Sequence, residues 1–286
     1  MPSVLPSVTV VIPCRNDAAL LEACLESLAG QSLAPREVVV VDNNSTDASA
    51  ETARRFGARV VFEPVPGIPA AASAGYDAAA ARGPGAGPSD PGAVTETARA
   101  TSVEPDLIIA RCDADCVLPS DWVERIAESF AADPELEVLS GPGVFYGMPP
   151  RTARLVSRLY LGSYYLAMGA ALAHWPFFGS NLALRAETWR QISGKVHRLD
   201  AQMHDDVCLS FHLGQGRRCK RDRGLVVGMA PRAVQTRTNL ALRFRRAFHT
   251  LVSHWPQDYP WVRWSRRFSG PRRRGTAAAI AGQATG

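Results

Sequence analysis

The sequence predicts an α/β fold with a single, mostly parallel central sheet and helices on both faces. Three observations carry this. Short apolar runs end abruptly at turn residues, as strands buried on both faces do. Stretches with a helical apolar stripe separate those runs. The two alternate at intervals of roughly 25 residues, the spacing of strand–helix units that lay neighbouring strands parallel.

Residues 8–12 form the first run, ended by Pro13. A helix over 17–28 puts Leu20, Leu21, Cys24, Leu25 and Leu28 on one stripe and stops at Gly30. A second strand covers 37–41, and a helix over 46–56, capped by Ser45 or Thr46, closes at Gly57. A strand at 59–62 and an alanine-rich helix at 69–81 follow. Residues 82–105 carry four prolines among Gly, Ser and Thr, and read as a flexible insertion. A strand at 106–111 then runs into Cys112-Asp113-Ala114-Asp115, and a helix over 120–130 stacks Trp122, Ile126 and Phe130 on one stripe. Residues 159–184 lack Asp, Glu, Lys and Arg, but only about 17 of them precede Pro176, where a membrane span requires roughly 20. A buried or interfacial helix is expected there, followed by a strand at 181–184. A helix at 204–213, a strand at 225–229 and a basic amphipathic helix at 240–252 complete the pattern. The domain reading is an α/β domain over 1–230, a basic aromatic C-terminal extension over 231–268 and a disordered tail over 269–286.

At 286 residues, 46% hydrophobic and 21% charged, the chain is not a disordered one. A chain of this length buries roughly 75% of its unfolded surface, so its core needs no metal or disulfide staple. The six cysteines show no paired spacing and no secretory leader is apparent, so reduced thiols and a cytoplasmic location are expected. Charge is uneven: residues 217–274 hold 16 Lys and Arg against Asp222 and Asp258, a local +14 that leaves −9 elsewhere. The arginines at 243, 245, 246, 263, 266, 267 and 272–274 alternate with Phe244, Phe248, Trp255, Trp261, Trp264 and Phe268. Such a segment is either a solubilising tail or a peripheral contact for an anionic membrane, on the inner face of the cell membrane here; nucleic acid is not expected.

Chemistry concentrates after the strands. Asp113 and Asp115 follow the fourth strand, where open α/β sheets place ligands. Two carboxylates without a basic residue between them suit Mg²⁺ or Mn²⁺ on a diphosphate, and equally suit a turn. The segment 42–47, Asp-Asn-Asn-Ser-Thr-Asp, caps a helix or offers acceptors to a base or ribose. Asp205 and Asp206 open a helix, whose dipole favours their ionised form and a role as proton acceptor.

In combination, strand–Pro13-Cys14-Arg15-Asn16, strand–Asp42-Asn43-Asn44-Ser45-Thr46-Asp47, strand–Asp113-Ala114-Asp115 and the late Asp205-Asp206 helix resemble glycosyltransferase family 2 over about residues 7–230. The resemblance implies the GT-A fold, with a Rossmann-like nucleotide-binding half, and inverting transfer of one sugar from a UDP- or GDP-linked donor to a hydroxyl acceptor, whether glycan, lipid or small molecule. It places the nucleotide sugar on Pro13, Arg15, Asn16, Asp42, Asn44 and Asp113. Asp113 and Asp115 match the metal-binding pair, and Asp206, with Asp205 beside it, matches the general base. Where the family often carries Ala-Arg-Asn-x-Gly, this chain reads Ala71-Ala72-Ser73-Ala74-Gly75, without the cation near the diphosphate. The Gln-x-x-Arg-Trp signature of processive synthases is absent, and Arg245, Arg246 and His249 stand on the C-terminal helix instead. Two other classes stay open: a catalytically silent nucleotide-sugar-binding subunit and a sugar nucleotidyltransferase, the latter disfavoured because no glycine-rich basic loop follows the first strand.

Overall fold

Along β1 (Val8–Cys14) successive side chains enter opposite layers, as the two-residue period of a strand requires. Val8, Val10 and Ile12 join one core cluster, Val11 the other. The computed structural model describes residues 5–81, 106–235, 237–255 and 257–269, so the expected insertion at 82–105 and residues 270–286 of the expected tail lie outside the described residues. With β1 go β2 (Glu37–Asp42), β3 (Arg59–Phe62), β4 (Ile108–Arg111), β6 (Val138–Ser140), β8 (Leu182–Arg185) and β9 (Cys219–Arg221), in a seven-stranded sheet ordered β3-β2-β1-β4-β8-β6-β9. Only β8 runs against its neighbours, pairing antiparallel with β4 and β6. The expected α/β class holds.

One face of the sheet is covered by α1 (Ala18–Ala29), α2 (Ser49–Arg55) and α4 (Trp122–Ala132), with Leu21, Leu25, Ala53, Trp122 and Ile126 packed on Val10, Val40 and Ile108. The other face carries α3 (Ile68–Ala81), α6 (Ala186–Ile192) and α7 (Asp205–Leu213), with Tyr76, Trp189 and Leu209 against Val11, Val39 and Ile109. Gly75 lets α3 lie directly on the strands: a Cβ there would stand 2.3 Å from Val11 Cγ1 and 2.9 Å from Val41 Cγ2.

A second sheet is ordered β5-β10-β7; the strand expected at 225–229 supplies β10 (Val227–Met229), while β5 (Cys116–Val117) and β7 (Gly143–Phe145) were unforeseen because they are too short to show a period. The fully buried Asn181 ties it to the first. Its amide donates to Leu225 O (2.6 Å) and Pro142 O (3.1 Å), and its carbonyl accepts from Trp122 Nε1 (2.9 Å).

Two expected helices have other bounds. The helix expected at 46–56 begins only at Ser49, because its would-be caps are used elsewhere. Asp47 accepts from Ala18 N and Ser49 N, both at 3.0 Å, and Ser45 Oγ from Asn16 N at 3.1 Å, so the segment stays a loop knitted to the one after β1. The uncharged stretch belongs to α5 (Pro150–Leu172), which starts earlier than expected. Past β10 come α8 (Arg232–Gln235), α9 (Arg237–Ser253) and α10 (Pro260–Ser269), and the basic extension is docked. Thr250 Oγ1 accepts from His204 N (2.7 Å), and the buried Arg263 donates to Leu172 O (2.8 Å). Among the described residues no helix is long and apolar enough to cross a membrane.

Candidate active site

Parallel pairing brings the ends of β1, β2 and β4 to one edge: Cys14 stands beside Asp42, and Val11 beside Arg111. Arg111 is the hub of that edge. The residue is 1% exposed and its guanidinium bonds Asp205, reaches Asp113 Oδ1 at 3.1 Å and Asp206 Oδ1 at 3.7 Å. Burial opposes the charge, yet Asp205, Tyr76, Asp113 and Asp206 around it hold its pKa well above the ordinary value. Ser180 Oγ completes the cluster with a 2.5 Å bond to Asp113 Oδ2. Two acidic segments more than ninety residues apart in the chain therefore share one cation.

Two cavities flank this cluster and share Ile68, Asp113, Arg232 and Arg243, so they form one groove. The first, about 290 Å³, is lined by Pro13, Arg15, Asp17, Asp113 and Asp115, among others. The second, about 210 Å³, is lined by Phe178, Met203, Asp205, Asp206, Leu242 and Arg246, with Arg111 and Ser180. The other expected donor contacts sit beside the groove. Asp42, 9% exposed, caps its own loop by accepting from Ser45 N (2.9 Å). Asn16 and Asn44 adopt left-handed backbone conformations (φ 54° and 60°), and Asn16 Oδ1 accepts from Thr46 N at 2.7 Å. Asn43, not singled out from the sequence, carries the loop after β3: its side chain bonds Glu63 O, Val65 O and Gly67 N.

One expectation fails. Asp205 and Asp206 were both expected to be ionised at the helix start. Asp205 is: burial raises its pKa, but Arg111 and His204 outweigh burial and hold it low. Asp206 is not: burial first, then the adjacent Asp205 charge, push it up to about 8. A helix N-terminus contributes only about 0.3–1 kcal/mol, less than one pKa unit, and cannot offset desolvation of two adjacent acids. Gly179 gives Asp206 its place; a Cβ there would lie 2.0 Å from Asp206 Oδ1 and 3.0 Å from Arg111 Cζ.

The residues fit a divalent cation. Asp113 and Asp115 supply an oxygen-only donor set of the kind hard cations take. Burial and the Asp113 charge raise the pKa of Asp115, the mark of a site short of positive charge. Arg232 answers part of that need: it spans Asp17 (2.6 Å) and Asp115 (2.8 Å). The arginine missing from α3 is thus matched by Arg15, Arg232 and Arg243 from elsewhere, all lining the first cavity. Arg111, Ser180 and Arg232 escaped the sequence reading, which weighed each acidic motif without its long-range partner and read Arg243 only as part of the basic extension. Near the second cavity Tyr164 and Tyr165 pack in the core, Tyr164 Oη donating to Phe177 O (2.9 Å), while Trp175 is 56% exposed.

Residues 9–83 match the family model for glycosyl transferase family 2. The uncharacterized glycosyltransferase Mb0553 of Mycobacterium bovis is 48% identical over 73 residues, 26% of this chain and 32% of that protein. The succinoglycan biosynthesis protein ExoA of Rhizobium meliloti is 29% identical over 214 residues, 72% of this chain and 57% of that protein. The chain thus spans about a third of the first relative and little more than half of the second. Among solved structures, the mannosyltransferase PcManGT from Pyrobaculum calidifontis, in complex with GDP-Man and Mn²⁺, has a TM-score of 0.53 at 24% identity, covering 87% of this chain and 63% of that one. The fold is GT-A. Over residues 9–83 the chain is similar to glycosyltransferase family 2.

Proposed function

We propose that the protein transfers one sugar from a nucleoside diphosphate sugar to a hydroxyl acceptor with inversion, the donor lying in the first cavity and the acceptor in the second. The observation that carries this reading is the meeting of Asp113, Asp205 and Asp206 on Arg111, with Asp115 on the adjoining cavity. Asp113 and Asp115 would hold a divalent ion, which when bound supplies charge neutralisation for the leaving diphosphate. Arg15, Arg232 and Arg243 meet the phosphates from the protein side, and the Asp42 loop borders the base. Asp205 stays ionised against Arg111 and keeps that guanidinium in place. Asp206 takes the acceptor proton as the hydroxyl attacks from the face opposite the diphosphate. Its raised pKa makes it a stronger base once ionised, and general-base help of this kind contributes about 10²–10⁴-fold. The exposed Phe244, Phe248, Trp261 and Phe268 beside the basic helices support a lipid-linked acceptor at an anionic membrane surface.

The test is kinetic. Asp206→Asn lowers turnover by about 10²–10⁴-fold with donor affinity nearly unchanged, and wild-type turnover rises with pH as Asp206 loses its proton. Equal turnover in the variant would remove Asp206 from the role and leave Asp205 to be tested. Product of retained anomeric configuration would remove the single displacement altogether.

A further inference from the structure

Behind the proposed acceptor cavity, on the far end of α7, four side chains with no part in the transfer converge. His197 comes from the loop before α7, Cys208 and His212 from one face of α7 a single turn apart, and His254 from the residue just past α9. One donor atom of each lies within 4.8 Å of all the others. Cys208 Sγ stands 3.6 Å from His197 Nδ1. That is the N–S edge of a tetrahedron with bonds of about 2.0–2.3 Å. The wider pairs close by roughly 1 Å through side-chain rotation, to edges of about 3.3–3.6 Å for such bonds.

A second observation points to a ligand. His254 is 6% exposed, and its Nε2 is buried without a hydrogen-bond partner; so is Nε2 of His212. Buried polar atoms in a native core are nearly always bonded, so two orphaned imidazole nitrogens in one cluster need an explanation. The tautomer agrees. His254 Nδ1 donates to Thr250 O at 2.8 Å, which leaves the Nε2 lone pair facing the cluster, the outer-sphere arrangement that metal-bound histidines keep. Phe211 stacks flat on the His254 ring (centroids 4.0 Å apart, 6° between planes) and fixes its orientation.

We propose that His197, Cys208, His212 and His254 bind a structural Zn²⁺. Three imidazoles and one thiolate suit zinc over hard cations, and four protein ligands close the site, which marks it as structural rather than catalytic. The ion joins α7, whose first residues are Asp205 and Asp206, to α9, whose Arg243 and Arg246 line the same groove. It therefore holds the basic extension against the domain. The site is independent of the transfer reaction and of the Asp113/Asp115 pair.

Co²⁺ substitution in the full-length protein tests it. Cobalt in an N3S tetrahedron gives strong visible d–d absorption and a near-ultraviolet thiolate-to-cobalt charge-transfer band. The oxygen-only Asp113/Asp115 pair gives neither. The wild type and Asp115→Asn should both show these bands at about one equivalent, displaced by Zn²⁺, and Cys208→Ser should lose the charge-transfer band. Zinc at about 1,000-fold over its Kd should raise Tm by roughly 8–16 °C. Absence of the charge-transfer band in the wild type, or its persistence in Cys208→Ser, overturns the proposal. The wild-type spectrum decides even where a variant fails to fold, and it reads nothing from catalytic activity.

Discussion

Replacing Arg111 by Met should unfold the protein more easily by an amount that depends on pH. Arg111 is 1% exposed, and its guanidinium faces Asp113, Asp205 and Asp206. Methionine fills much of the volume but leaves the carboxylates buried without their cation. Removing one partner of a buried ion pair costs about 3–5 kcal/mol. At about 2–4 °C per kcal/mol for a domain of this size, Tm at pH 7 should fall by roughly 6–20 °C. The sign with pH follows from Asp205. Its depressed folded pKa contributes stability above the unfolded value, which is lost as pH falls through the folded one. Without Arg111 that contribution is absent, so the deficit is largest at neutral pH and narrows as acid protonates the cluster. Thermal melts from pH 7 down to 3, a range that crosses the unfolded carboxylate value and enters the depressed range of Asp205, with Arg111→Lys as a charge-retaining control of intermediate loss, measure it. A drop under about 2 °C at pH 7, or a deficit constant across the range, would refute the hub.

Gly179→Ala, which sets a methyl on Asp206 and Arg111, should cost about 1–3 kcal/mol and on the order of 10²-fold in turnover, read by melts and steady-state kinetics. Burial holds His174 and His204 down at about 4. Their folded values lie below the unfolded one, so stability should fall as pH drops from about 6.5 to 4, at most about 1.4 kcal/mol per pH unit for each. The double Gln variant should show a flatter acid limb in denaturant titrations. Trp261→Ser with Phe268→Ser should weaken binding to anionic vesicles, with wild-type binding falling as salt rises; salt-independent binding would end the membrane reading.

Where a segment's own chemistry decided its structure, it was legible. The apolar runs that became β1, β2 and β4 alternate with stripes that became α1, α3 and α4, and parallel pairing then brings their carboxyl ends together. The acidic motifs were visible because they follow those strands directly. What the sequence hid depends on distant partners. Arg111 looks like a strand's last residue until Asp205 arrives ninety-four positions later. Strands of two or three residues, such as β5 and β7, show no period, and β7 takes its place through Asn181, which bonds Pro142 O just before it and Leu225 O just before β10. Asp206 misled for the same reason, since its proton affinity is set by burial rather than by the helix start. His197, Cys208, His212 and His254 gave only the i, i+4 pair on α7 as a clue; the third dimension supplies the rest.

Titration calorimetry of UDP-, GDP- and dTDP-sugars with and without Mn²⁺ puts the account to its hardest trial, run on the wild type, Asp115→Asn and Asp206→Asn. One nucleotide sugar should bind the wild type only with Mn²⁺, bind Asp206→Asn nearly as well, and fail to bind Asp115→Asn. Donor binding that ignores the metal, or that Asp115→Asn retains with its metal requirement intact, would contradict the assignment of this groove.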